Sequence, residues 1–260
     1  MKDLIKNEID GAVFYTSSDI CTAHGFSTRS GGVSRPAHLA TMNLGRNLGD
    51  DPASVDENYR RFCRCIGVDP ESVVYTNQVH SADVVTVGAE DAGKAFTCDG
   101  FVTAERGITL SVRTADCVPI LFWHPRGVIG ACHAGWRGTV AHIQRETVRK
   151  MCELGADVDG IRCAVGAAIR LCCYEVGEDF VDAVRQTAGD ELCDRFIARG
   201  KWEKPHADIV GMNVALLLEA GLKTDNISVC GECTCCRPDV FFSHRASGGK
   251  RGVMAAMISL

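Results

Sequence analysis

The chain has 260 residues, 46% apolar and 23% charged, proportions that suit a globular core and exclude a disordered or fibrous chain. Its 28 Lys+Arg against 33 Asp+Glu leave a net charge of −5 with no basic run, which argues against nucleic acid or an anionic membrane as partner. The opening MKDLIKNEIDGA lacks the apolar core of a signal peptide and no stretch approaches the ~18 apolar residues of a membrane span, so the expected location is cytoplasmic.

In chain order, short β-branched or aromatic segments predict strands over residues 13–15 and 20–26, with a turn at Ser17-Ser18 between them. Ser54, with Glu57 three residues on, reads as a capping box opening a helix that runs to about Ile66 and stops at Gly67. Strands follow over 73–75, 84–87, 101–103, 108–112, 118–123 and 128–131. Val140, Ile143, Thr147, Val148 and Met151 recur at helical spacing and predict a helix over 139–154. A strand over 161–165, helices over 180–184, 192–197 and 209–218, and strands over 227–230 and 253–258 complete the chain. Strands and helices mix without strict alternation, and no composition shift marks a boundary. The expected fold is α/β, with α+β as the alternative, in a single domain over residues 1–260 with mixed sheets flanked by helices. No GxGxxG or P-loop points to a nucleotide fold.

Three segments put metal-type or nucleophile-type side chains in loops at strand ends, where sites are commonly built. They are Asn77-Gln78-Val79-His80, Thr114-Ala115-Asp116-Cys117 and His133-Ala134-Gly135-Trp136-Arg137-Gly138. Two histidines and one cysteine suit Zn²⁺, and three protein ligands leave a fourth position open, as in catalytic zinc sites. The spacing itself does not distinguish this from polar loop histidines beside a buried strand cysteine. Fifteen cysteines, odd in number and scattered, read mainly as reduced small hydrophobes rather than a disulfide framework. The exception is the cluster Cys230, Cys233, Cys235 and Cys236, whose CxxCxCC pattern suits a second metal or a redox-reactive patch as well as ordinary thiols.

Read together, HGFSTR (24–29), GGVS (31–34), NLG (43–45), GDDPASVDEN (49–58), NQVH (77–80), CDGFVT (98–103), TADCVP (114–119), HAGWRGT (133–139), CT (233–234) and FFSHR (241–245) follow one another in a characteristic order. This order resembles the laccase-domain purine nucleoside phosphorylases, a family first described as multicopper polyphenol oxidases, and the resemblance runs from His24 to the C-terminus. It implies a zinc enzyme that phosphorolyses adenosine, inosine, guanosine or methylthioadenosine, with adenosine deamination as a further activity. Its partners would be a purine nucleoside and phosphate, and its zinc ligands His80, Cys117 and His133. The chain departs from the family in Gly166-Ala167-Ala168-Ile169-Arg170-Leu171, where a GPxIGP pattern is usual, and in carrying more than one cysteine near Thr234.

Phosphorolysis requires a held phosphate, and a guanidinium fork matches phosphate oxygens, so Arg29 and Arg137 are candidates, with backbone N–H groups after Gly135 as support. Asn43 and Gln78 are candidates for hydrogen bonds to ribose or base. Asp116 is the candidate proton shuttle, and Asp99 an alternative; either could instead brace a turn or orient a ligand. The zinc deaminase signature H-x-E with P-C-x-x-C is absent. Two rival chemistries use the same atoms. One is a cysteine hydrolase or amidase with Cys117 as nucleophile and His133 as base. The other is copper-dependent phenol oxidation, which eight histidines support poorly, although an N/S site binds copper tightly in vitro.

Overall fold

A computed structural model describes residues 1–260, the side chain of Ala188 excepted. Two seven-stranded mixed sheets carry the chain. The first runs Lys2–Asp3, Ile227–Val229, Arg162–Val165, Val118–His124, Val128–Ala134, Gly100–Thr103 and Val84–Thr86. The second runs Ile5–Ile9, Ala12–Thr16, His24–Ser27, Met254–Ser259, Thr109–Thr114, Val73–Thr76 and Ala95–Phe96.

The side-chain period of two explains how these strands read as almost continuous apolar runs. Along Val118–His124, Val118, Ile120 and Phe122 point to a helical layer, while Leu121 points to the second sheet. Along Val128–Ala134, Val128, Cys132 and Ala134 take the helical side and Ile129 and Ala131 the inter-sheet side. The inter-sheet core is completed by Phe26, Leu110, Val112, Ala256 and Ile258 of the second sheet. Helices Ile143–Glu153 and Ile209–Glu219 cover the first sheet with Ile143, Val148, Met151, Ile209, Val210 and Leu217. Helix Pro52–Ile66 covers the second with Val55, Tyr59, Phe62, Cys63 and Ile66. The result is a helix–sheet–sheet–helix stack, the mixed α/β fold expected. Among the described residues, no helix is long and apolar enough to cross a membrane.

Several elements differ from expectation for local reasons. The first long helix is capped by Asp51, which accepts from Ala53 N, with Pro52 at the first helical position; the Ser54 hydroxyl instead donates to Asp51 Oδ2. The helix expected over 139–154 is broken into Trp136–Val140 and Ile143–Glu153 by His142, whose φ of 60° is left-handed. The segments 180–184 and 192–196 belong to one element, Glu178–Phe196, interrupted at Gly189 (φ 82°, ψ 168°), and Ile197 begins the short strand Ile197–Ala198. The strand expected over 20–26 is confined to His24–Ser27, and the exposed strand Ile5–Ile9 carries too many polar residues to announce itself.

Three connections cross from the second sheet to the first. They join Val73–Thr76 to Val84–Thr86, Ala95–Phe96 to Gly100–Thr103, and Thr109–Thr114 to Val118–His124. His80, Asp99 and Cys117 lie on these crossings, one on each.

Candidate active site

The crossings converge beside the end of the Val128–Ala134 strand, which supplies His133. One candidate ligand atom from each of His80, Cys117 and His133 lies within 4.8 Å of the other two. The Cys117 Sγ is 3.9 Å from His80 Nε2, and the two imidazole rings meet edge-on with centroids 4.9 Å apart. Two of the three crossings carry a residue in a left-handed conformation that side chains other than glycine seldom adopt: His80 (φ 61°) and Asp116 (φ 99°). Gly135 forms the floor. Its φ of −64° suits any residue, but a Cβ there would lie 2.6 Å from the His80 ring and 3.4 Å from Cys117 Sγ. The glycine of HAGWRG thus keeps open the space between the three side chains.

Asp99 organises the cluster. It is fully buried, and its carboxylate accepts from Val79 N, His80 N, Ser81 N and Ser81 Oγ at 2.7–3.1 Å, and from His133 Nδ1 at 2.8 Å. The His133 backbone N–H donates to Asp99 O. One residue therefore fixes the loop that carries His80 and the ring of His133, whose other nitrogen is left to face Cys117. Burial would raise the Asp99 carboxyl, but the hydrogen bonds from His133 and Ser81 hold it down at about 2. Burial would likewise raise Cys117, yet the charge and hydrogen bonds of His133, followed by those of His80, bring it down to about 6. His133, despite burial, is drawn up to about 9 by the Cys117 thiolate and Asp99. Each residue thus favours the charged form of the other, thiolate on Cys117 and imidazolium on His133.

The cluster opens onto a cavity of about 330 Å³ whose wall includes Gln78, Arg113 and Arg251. A second cavity of about 480 Å³, bounded by Tyr59, Tyr75 and Asn77, shares Arg46, Asn47 and Arg113 with it. Arg46 bonds Asp56 at 2.6 Å and lies over both Tyr59 and Tyr75, 5.2 and 5.4 Å from their ring centres. Arg113 is anchored by one hydrogen bond to Thr76 O. Arg251 has a buried Nε with no protein partner; burial lowers the pKa of its guanidinium, an effect opposed by the charges of Asp116 and Cys117.

The other residues singled out from sequence are placed differently. Gln78 lines the cavity, but its amide pairs with the Arg113 backbone in both directions. Asn43 is fully buried, donating to Gly45 O and Asp50 and accepting from Gly45 N and Val253 N. It shapes the loop at the cavity mouth and has no free polar atom to offer a ligand. The Asp116 carboxylate accepts from Thr234 Oγ1 at 2.6 Å and from Arg245 N at 2.7 Å, which ties the CT and FFSHR motifs to the turn preceding Cys117. Arg29 is spent on Ala40 O and Pro238 O and rests over Phe242. Arg137 is exposed over Trp136 on a helix of five residues, too short to make much of an anion site at its N-terminus. Of the cavity cations that the sequence reading missed, Arg46 and Arg251 stand far from the metal-type residues in sequence, while Arg113 immediately precedes Thr114-Ala115-Asp116-Cys117 but sits within a strand, where it reads as an ordinary strand residue.

Comparison with known proteins agrees with this architecture. The family described as multi-copper polyphenol oxidoreductase laccase matches residues 23–260. A purine nucleoside phosphorylase of Deinococcus radiodurans is 38% identical over 252 residues, covering 96% of this chain and 94% of the relative. A protein named adenosine deaminase RL5, from an unknown prokaryote, is 34% identical over 87% of this chain and 90% of its own length. The crystal structure of YlmD from Geobacillus stearothermophilus superposes with a TM-score of 0.90 at 33% identity, covering 99% of this chain and 98% of that one. A match of this extent, by sequence and by fold, makes the chain a member of the multi-copper polyphenol oxidoreductase laccase family.

Proposed function

We propose that this chain is a zinc-dependent purine nucleoside phosphorylase, with adenosine deamination as a further activity of the same site. The observation that carries the reading is the donor cluster of His80, Cys117 and His133 opening onto a cavity walled by arginines. Relatives named for purine nucleoside phosphorylase and for adenosine deaminase support a purine nucleoside as substrate. The donor set fits zinc: two imidazoles and one thiolate, the thiolate already formed near neutral pH, around a space that a single Cβ at Gly135 would fill. His80, Cys117 and His133 would hold the ion. Zinc held there would supply a Lewis acid beside the cavity.

The chain's own groups account for the rest. Arg251, with its unpartnered buried nitrogen, and Arg113 give phosphate two guanidinium partners in a partly dehydrated wall, where charge-assisted hydrogen bonds are strong. They hold it as a nucleophile beside the anomeric carbon, where its negative charge offsets the positive character that develops on the ring. Arg46 and Tyr75 offer a flat surface for the base in the larger lobe. Asp99 keeps the proton on His133 Nδ1, so that the other ring nitrogen serves the metal.

Cys117, His133 and Asp99 also have the order of a nucleophile–base–carboxylate triad. Two features favour the metal: His80 converges on the same thiol, where a triad needs no second imidazole, and Gly135 keeps the intervening space open. Copper oxidation is disfavoured because, among the described residues, the groups that can ligate a metal are this trio and a set of four cysteines. Product analysis tests the proposal: adenosine and inosine are incubated with zinc-loaded protein, with and without phosphate. Phosphate-dependent free base and ribose-1-phosphate are expected. Turnover that survives chelation and is stopped by thiol alkylation would instead identify a cysteine enzyme.

Two further outcomes are expected. Zinc loading must expel the proton of His133, so between about pH 7 and 9 affinity should rise about tenfold per pH unit and level off above 9. A competition titration with a chromophoric chelator reads the slope, and a flat profile across that window would remove the ion pair from the account. Arg251→Met should raise the phosphate KM by roughly tenfold or more, the worth of one charge-assisted hydrogen bond, at unchanged zinc content. An unaltered phosphate KM would place the anion elsewhere.

A further inference from the structure

Four cysteines gather on the far side of the Asp116–Cys117 turn. Cys172 and Cys173 come from the loop after Arg170, and Cys233 and Cys236 from the turn after Val229. Their sulfurs all lie within 4.8 Å of one another, with Cys173–Cys236 at 3.3 Å and Cys172–Cys236 at 3.5 Å. Zn–S bonds of about 2.3 Å arranged as a tetrahedron have sulfur–sulfur edges of about 3.8 Å, within the range seen here. A four-iron cluster would need its cysteines spread around a larger cage.

The local backbone adds a second, independent observation. Cys233 and Cys236 form a C-x-x-C turn closed by Arg237 N on Cys233 O, and Thr234 N donates to Ala168 O, which pairs the turn with the chain leading to Cys172 and Cys173. Cationic side chains border the group. Arg245 donates to Cys173 O and Glu175 O, and Arg170 reaches Cys230 O while its buried Nε has no protein partner.

We propose that Cys172, Cys173, Cys233 and Cys236 bind a structural zinc ion as four thiolates, at a site separate from the catalytic cluster. Loading forms four Zn–S bonds, releases four thiol protons to solvent and leaves a net charge of −2, which Arg170 and Arg245 offset. With four protein ligands the site has no open position and serves structure rather than catalysis. It clamps the loop after Arg170 to the turn after Val229. Those segments already meet at the Ala168–Cys233 bridge and at Thr234, which bonds Asp116. The ion therefore steadies the support on which Cys117 stands.

The test is the zinc stoichiometry of protein purified with excess zinc and then desalted. Two ions per chain are expected in the wild type, and one each in Cys117→Ala and in the Cys172→Ser/Cys236→Ser double variant. X-ray absorption on zinc-loaded Cys117→Ala should show four sulfur neighbours at about 2.3 Å and no imidazole; this measurement decides the matter even if the double variant fails to fold. A single ion in the wild type that disappears in Cys117→Ala would overturn the proposal. A mass two hydrogens lighter with no second ion would also overturn it, by revealing a disulfide among these cysteines.

Discussion

Cys117→Ala is expected to empty the catalytic metal site and to slow phosphorolysis by on the order of 10³-fold, the scale of the several kcal/mol a Lewis acid contributes. The thiolate is the sole anion among the three donors, and no neighbour can replace it. The Asp116 carboxylate is engaged by Thr234 and Arg245, and that of Asp99 by Val79, His80, Ser81 and His133. The variant keeps its fold, since Cys117 sits at the margin of the cavity rather than in either sheet's core. Zinc content and turnover should therefore fall together at an unchanged circular-dichroism spectrum. A variant that still loads the catalytic site and turns over at the wild-type rate would dismiss Cys117 as a ligand.

The fold was legible wherever burial leaves a period in the sequence. Val118, Ile120 and Phe122 alternate against Leu121 because their strand is covered on both faces, and that run predicts a strand without further help. The break at His142 was not legible, because the apolar period continues through it and a single left-handed residue leaves no hydrophobic signature. The N-terminal strand Ile5–Ile9 was hidden for the opposite reason: it is largely exposed, and its side chains need not be apolar.

The site divides along a similar line. His80, Cys117 and His133 could be picked out by chemical type and by resemblance, because donor identity is written in single residues. Their meeting was implied by the resemblance and by no local pattern, since it depends on crossings between two sheets whose order the sequence does not state. Arg251 lies 118 residues beyond His133 and reaches the cavity from the opposite sheet's terminal region, so proximity in sequence favoured Arg137 instead. Asn43, a candidate partner for ribose or base, and Asp116, the candidate proton shuttle, have their polar atoms engaged in buried hydrogen bonds that support loops. A buried polar group must find partners whether or not a ligand is near, so such residues signal architecture as readily as chemistry.

Asp99 carries both demands at once, and Asp99→Asn should expose them separately. An amide at this position keeps the volume but replaces one acceptor oxygen by an N–H₂ group facing donors, so His133 loses the partner that sets its tautomer. Zinc affinity should fall 10- to 100-fold, the usual cost of losing a partner of a ligating histidine. Stability should fall as well. The folded carboxyl sits at about 2, below its unfolded value near 3.9, so its ionised form contributes roughly 2 kcal/mol that is fully present above about pH 5 and fades as pH drops through 2. The difference between wild type and variant in urea unfolding should thus be greatest near neutrality and shrink on acidification. Zinc titration and unfolding at several pH values check the two effects independently. If zinc affinity is unchanged while stability falls, Asp99 is only a loop brace. If both stay at the wild-type level, the hydrogen bonds to His133 and to the loop of His80 organise neither the metal site nor the fold.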